Sequence, residues 1–169
     1  MKMFLRAALS GLAALAFAAT ASAQKSDEEM FKLMKSEKIG ELKLEMTEAQ
    51  LKQALPGQPA KAADRLWGAD GQYHQRWTYA KQGLRLSMVS EKKGAAKTVE
   101  SIECAARCTL KSARGIGVGS TVAALRAAYG TALHDDNGMY VVGRGDRALS
   151  FDVGGDGTVN AIYLGLSWD

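Results

Sequence analysis

The sequence predicts an α+β fold built from a tandem duplicated unit, in which each unit is a helix packed on an antiparallel sheet of three to four strands. A helical pattern that closes on a glycine occurs twice, at 47–57 and at 121–130. Patterns with the period of a strand follow each helix in the same order, and the matched pairs are 84–88 with 149–153 and 98–102 with 158–162. One supersecondary pattern repeated along a chain is typical of a duplicated unit.

The first unit begins near Leu42, and its helix starts at Thr47. Gln50 completes the Thr-x-x-Gln pattern of a capping box, and Pro56-Gly57 ends the helix. The segment 58–71 reads as a long loop. Three strands are expected after it, near 73–80, 83–90 and 97–104, with a turn at 81–83 and a polar loop at 91–96.

The second unit repeats this order behind a lead of three alternating glycines at 115, 117 and 119. Ser120 or Thr121 caps its helix, which ends at Tyr129-Gly130. His134 precedes the segment 135–138, which reads as a solvated turn. The expected strands lie near 138–143, 147–153 and 158–165. The two sheets could join edge to edge or pack separately, with helices covering one face and solvent on the other.

The chain divides into a targeting segment, an added helix and the two units. Residues 1–23 are typical of a secretory signal peptide, with a basic start, an apolar run at 9–19 and the small residues Ala21-Ser22-Ala23 before the cut. The helix 24–40 opens at Ser26, and its stripe of Met30, Phe31, Leu33 and Met34 is expected to pack on the core, with a partner-binding face as the alternative. The first unit is then 41–107 and the second 108–169. We expect a periplasmic or secreted protein without a membrane span after signal cleavage.

Charge and cysteine content narrow the class of protein. Lysines and arginines number 22 against 18 acids, and two of these cations belong to the signal segment. No basic stripe stands out, so nucleic acid is not an expected partner. Cys104 and Cys108 predict a disulfide in an exported protein, with free thiols or a redox or metal role as alternatives. No metal and no cofactor are expected.

Two glycine-rich motifs favour plain structural roles. The glycines at 115, 117 and 119 precede a helix as in a phosphate loop, but Ser120 does not continue the dinucleotide pattern, which leaves a flexible lead into a capped helix. The segment 152–157 is similar to a calcium loop but lacks the distal glutamate, which favours a hairpin turn. With two histidines and no recognisable triad spacing, no catalytic residue is assigned.

Strand alternation nominates a binding surface. Trp77 and Tyr79 share the parity of the core, which turns His74 and Arg76 toward the open face of the sheet, and Arg85 follows by the same argument. Aromatic and arginine side chains are the usual anchors of protein interfaces. The predicted partner-binding residues are Trp67, Tyr73, His74, Arg76 and Arg85. The alternative is an ordinary solvated sheet face with Trp67 folded onto the core.

The repeated pattern resembles the β-lactamase inhibitor protein fold, a secreted tandem repeat whose concave sheet surface clasps an enzyme. Residues 47–57 and 120–130 carry the resemblance, which covers about 40–166. A single unit is also similar to the SmpA/OmlA-like outer-membrane assembly lipoproteins, although this chain lacks their lipidation cysteine. These resemblances imply a partner in the cell envelope, which is expected to be a protein.

The sequence therefore favours a protein-binding module, such as an enzyme inhibitor or an envelope accessory protein, over an enzyme. The alternative is a protein that binds a small ligand or a cell-wall fragment, and a hydrolase ranks third. A broad open face with exposed aromatics would favour the first function, whereas a deep pocket with convergent polar groups would favour the other two.

Overall fold

The computed structural model describes residues 28–143 and 147–165 and has an α+β fold with one antiparallel sheet. The helices are α1 (28–36), α2 (Glu48–Ala54) and α3 (Val122–Tyr129). The strands are β1 (Ala60–Lys61), β2 (Arg65–Leu66), β3 (Tyr73–Tyr79), β4 (Leu84–Ser90), β5 (Thr98–Cys104), β6 (Leu133–Asp136), β7 (Met139–Val142), β8 (Leu149–Val153) and β9 (Val159–Leu164). Their order across the sheet is β1-β3-β4-β5-β9-β8-β7-β6, and β2 also pairs with β3.

Both helices that precede the strands start as their capping residues predict. At α2 the Gln50 N–H donates to the Thr47 hydroxyl at 3.3 Å, and the Thr47 N–H donates to the Gln50 side chain at 2.9 Å. At α3 the cap is Thr121, which accepts from the Ala124 N–H at 3.2 Å. These bonds satisfy backbone donors that have no partner within a helix.

The strands that follow the two helices join edge to edge in a single antiparallel sheet of nine strands, which is one of the two arrangements that the sequence left open. The junction is β5 against β9, where Ile102 faces Leu164, Glu103 faces Tyr163 and Cys104 faces Ile162. Pairing closes what would otherwise be two exposed strand edges at the centre of the molecule.

The core lies between the helices and one face of this sheet. Leu51 of α2 and Leu125 of α3 are fully buried in one cluster with the inward side chains of the strands. The predicted parity is confirmed on β3 and β4, since Arg76 and Arg85 are exposed on the other face. The buried residues of these two strands include Trp77, Tyr79, Leu84, Leu86 and Met88.

Two segments that were expected to be irregular contain strands. The predicted loop 58–71 holds β1 and β2, each only two residues long. The predicted turn after His134 is instead β6, an exposed edge strand, and the turn itself is Asn137-Gly138. Both turn residues have positive φ, 51° and 94°, which is the geometry that a two-residue hairpin requires.

The N-terminal helix packs on the core through three of the four residues of the predicted stripe, since Met30 and Leu33 pack against the core cluster that contains Met34. Met34 is buried, but Phe31 is 59% exposed. The inward face continues to Glu37, which is buried and accepts from the Ala113 N–H at 3.3 Å, and burial raises the pKa of this carboxyl. Phe31 lies on the flank of that stripe. The predicted signal peptide and the Ser26 cap lie outside the described residues.

Cys104 and Cys108 form a disulfide, as predicted, with their Cα atoms 5.5 Å apart. The short loop that it closes lies over Gly83, whose φ is +66°, and a Cβ there would sit 2.4 Å from the Ala106 carbonyl oxygen. None of the helices in 28–143 or 147–165 is long and apolar enough to cross a bilayer.

Candidate functional site

A cavity of about 640 Å³ opens on the sheet face opposite the core, and we call it the sheet-face cavity. Its floor is formed by the outward side chains of β3, β4 and β5, and the segment around β2 forms one wall. The lining residues are Ala62, Ala63, Arg65, Leu66, Trp67, His74, Gln75, Arg76, Arg85, Leu86, Ser87, Ser101, Ile102, Glu103 and Tyr163.

The sheet-face cavity brings together four of the five residues nominated from the sequence. Trp67, His74, Arg76 and Arg85 all line it. Tyr73 is not among the lining residues, because it has the opposite parity from its neighbour His74 on β3. It pairs instead with Leu66 and Ser90 across the strands.

Strand pairing explains why a third arginine, Arg65, enters the cavity. On β2, Arg65 lies directly opposite His74 of β3, so both side chains take the same face. Arg76 lies two residues further along β3 and therefore shares that face. Arg65 could not be nominated from the sequence, because a strand of two residues in a polar segment has no periodicity to read.

His74 is held between two carboxylates. Its Nε2 lies 2.8 Å from Asp70 Oδ2 and its Nδ1 lies 2.9 Å from Glu100 Oε2. An imidazole ring donates from each nitrogen that carries a proton, so each of the two nitrogens of His74 has one carboxylate within hydrogen-bond distance. The Gln72 N–H, followed by His74, lowers the pKa of Asp70. The Trp67 ring meets the His74 ring edge-on at 5.0 Å, which packs the wall of the cavity against its floor.

Glu100 reaches His74 because β5 carries a bulge. The register passes from Ser87–Ser101 to Met88–Val99, which leaves Glu100 without a cross-strand partner. An extra residue in a strand turns two consecutive side chains toward one face. Glu100 Oε2 thus also accepts from the Ser87 hydroxyl at 2.9 Å. The signal for this residue was the spacing of three between the core residues Val99 and Ile102, which breaks strict alternation.

The cavity carries an excess of positive charge. Its lining contains three arginines against one glutamate, and that glutamate, Glu103, is the ion-pair partner of Arg85. Arg65 and Arg76 are both exposed, and neither has an ion-pair partner among 28–143 and 147–165. Two adjacent uncompensated guanidinium groups create a local field that attracts anions.

A buried ion pair behind the cavity fixes the segment that carries Arg65. Lys97 is 4% exposed, and its Nζ lies 2.8 Å from Asp64 Oδ1 and donates to the Ser90 hydroxyl at 2.7 Å. Asp64 also accepts from the Gly94 N–H at 2.8 Å. These hydrogen bonds, with Lys97 foremost, lower the pKa of Asp64. Because Arg65 follows Asp64 directly, this anchor determines where the wall of the cavity lies.

The polar cluster of Asp70, His74, Glu100 and Ser87 can be compared with a cation site and with the active site of a serine hydrolase. One donor atom from each of Asp70, His74 and Glu100 lies within 4.8 Å of the others, so a cation could be held there. However, each carboxylate faces a different ring nitrogen, and a single ion could use only one of these nitrogens. In a serine hydrolase the serine hydroxyl donates its hydrogen bond to the histidine imidazole, which then takes the proton. Here the Ser87 hydroxyl donates to Glu100.

Comparison of the chain with family models, with curated proteins and with solved structures gives no significant match. The resemblances inferred from the repeated pattern therefore stay predictions.

Proposed function

We propose that this protein is an exported protein-binding module that captures its partner on the open face of the sheet, at and around the sheet-face cavity. The observation that supports the proposal is that three arginines and two aromatic residues line the same cavity. These residues are Arg65, Arg76, Arg85, Trp67 and Tyr163. Residues of these types dominate the energetic centres of protein interfaces.

The rim of the cavity supports the same function. Leu66, next to Trp67, is 59% exposed and adds apolar area to the rim of the cavity. An apolar rim beside fixed cations provides the mixture of contact area and directed polar groups that interfaces use. The disulfide and the predicted signal peptide both fit a protein that works outside the cytoplasm.

A duplicated unit, as in the β-lactamase inhibitor proteins, remains part of this proposal. The β5–β9 junction supports it, because Ile102 and Ile162 are matched positions of the two units. Ile102 faces Leu164 and Cys104 faces Ile162, so the pairing is symmetric about the Glu103–Tyr163 pair. A second bulge in β9 also supports it, since the register there passes from Asp152–Ala161 to Val153–Val159. If the units match in this way, the second unit lacks a counterpart of Arg85, because Ser150 occupies that position.

A small anionic ligand is the second candidate occupant. The observation that favours it is the cavity volume of about 640 Å³, which lies within the range of small-molecule sites. Under this alternative the aromatic and arginine side chains would bind a free acid instead of a protein surface.

Replacing Arg76 and Arg85 together by alanine should weaken partner capture by about ten-fold or more, because an anchor arginine at an interface is often worth ~2 kcal/mol. The thermal midpoint should stay nearly unchanged, since Arg85 is 52% exposed and a surface ion pair contributes little to folding. The measurement is quantitative pull-down from cell-envelope extract with the purified protein as bait, beside a thermal melt.

The matched control for this variant is Arg126→Ala, which removes an exposed arginine on α3, away from the cavity. Normal capture by the double arginine variant would contradict the proposed face, and so would its unfolding. Trp67→Ala is a less selective test, because Trp67 also packs against His74.

A further inference from the structure

We infer that the sheet-face cavity recognises two neighbouring side chains of the partner, one acidic and one apolar. Arg65 and Arg76 bind the carboxylate of the acidic side chain. This inference rests on the proposed function and specifies the chemistry of the partner. It follows from the charge of the lining, the placement of the two arginines and the apolar wall beside them.

The first step is that the positive charge of the cavity is available to a partner. Glu103 is paired with Arg85, while Asp70 and Glu100 both lie against His74. The nearby acids therefore already have hydrogen-bond or ion-pair partners within the protein. Arg65 and Arg76 have no acidic partner in the described part of the chain, although both line the cavity. An incoming carboxylate would relieve the repulsion between these two guanidinium groups.

The second step is geometric. Because Arg65 lies opposite His74 and Arg76 lies two residues from it, the two arginines are diagonal neighbours on adjacent strands. Diagonal neighbours are about 7–8 Å apart, and their Cβ atoms are somewhat closer, a separation that long side chains can bridge. The Lys97–Asp64 ion pair fixes the Arg65 segment, and strand pairing with Ser87 fixes Arg76. A guanidinium group in a fixed position can bind a planar carboxylate through two parallel N–H···O hydrogen bonds.

The third step concerns what stands beside the acid. The wall next to Arg65 consists of Leu66 and Trp67, and Tyr163 stands across the cavity. These side chains give apolar contact area that a bare anion would leave unused. A carboxylate followed by an aromatic or aliphatic side chain would fill both parts of the cavity. A segment of a protein partner supplies both groups at once.

The test is a titration of the full mature protein with two blocked tetrapeptides, Phe-Glu-Glu-Leu and its isostere Phe-Gln-Gln-Leu, followed by NMR of the backbone amides and of the arginine Nε–H groups. We expect the acidic peptide to bind at least ten-fold more tightly, with the largest shifts at residues that line the cavity. The Arg65→Gln/Arg76→Gln variant should lose this preference, and Arg126→Gln should retain it. N-acetylglutamate and inorganic phosphate are titrated in parallel as free anions.

The inference is overturned by equal binding of the two peptides, by absence of binding, or by a preference that survives in the double variant. It is also overturned if N-acetylglutamate or phosphate binds as tightly as the acidic peptide, because the site would then serve a free anion. If the protein captures its partner on the open face but binds the two peptides equally, the proposed function stands and only this inference is overturned.

Discussion

Replacing Lys97 by methionine is expected to lower the free energy of unfolding by about 3 kcal/mol, which is typical of breaking one side of a buried ion pair. Lys97 is 4% exposed, and its ammonium group bonds Asp64 and Ser90 at once. Methionine has a similar length but no charge, so the Asp64 carboxylate would lose its cation while it stays largely buried. Urea unfolding at pH 7 measures the loss.

The pH dependence gives this prediction a second readout. Lys97 lowers the pKa of Asp64 below its ordinary value of 3.8, so the pair stabilises the fold above that value and its contribution is lost as the pH falls through the lowered pKa. The difference between the wild type and Lys97→Met should therefore shrink on strong acidification. The control is Lys52→Met on the exposed side of α2, with an expected change below about 0.5 kcal/mol. Equal stability of Lys97→Met and the wild type at pH 7 would show that the pair does not anchor the segment.

Replacing Gly165 by alanine is expected to lower the free energy of unfolding by about 3 kcal/mol. It should also displace Glu100 from His74. The φ angle of Gly165 is +101°, a conformation that strains any residue with a Cβ. The new Cβ would also lie 2.5 Å from the backbone oxygen of Glu100, so the bulge of β5 would have to move. Urea unfolding measures the stability, and the ring nitrogen resonances of His74 report whether Glu100 is displaced.

Gly155→Ala is the matched control for this substitution. Gly155 has no positive φ, and a Cβ built there meets no atom within 4 Å. Its effect should stay within about 0.5 kcal/mol. If Gly165→Ala leaves the His74 resonances in place, the packing of Gly165 against the bulge does not determine the position of Glu100.

Strand parity was enough to predict one side of the site. Alternation along β3 and β4 correctly separated His74, Arg76 and Arg85 from the buried Trp77 and Leu86, because one face of each strand packs on a core. Helix starts were predictable for a similar reason, since a capping residue acts through local hydrogen bonds. Tyr73 was placed with the binding residues only by its proximity to Trp67 in the sequence, and its parity argues against that placement.

The parts that could not be predicted depend on pairing between distant segments. Arg65 enters the cavity because a two-residue strand pairs with β3, and so short a strand has no pattern of its own. The contact of Glu100 with His74 depends on a bulge in β5. The spacing of three between Val99 and Ile102 indicates this bulge only when the alternation of the whole strand is followed residue by residue. The hairpin at Asn137-Gly138 was predictable, because Asn-Gly is a strong turn signal, but the acidic residues before it suggested a solvated turn.

The most direct test of partner capture on the open face is photo-crosslinking in living cells from two matched positions. A photoreactive phenylalanine analogue is placed at Thr78, on the open face of β3, or at Ala127, on the exposed side of α3. We predict a discrete crosslinked protein from position 78, absent from position 127 and lost when Arg76 and Arg85 are both alanine. A crosslink from position 127 with none from position 78 would contradict the assignment of the binding face.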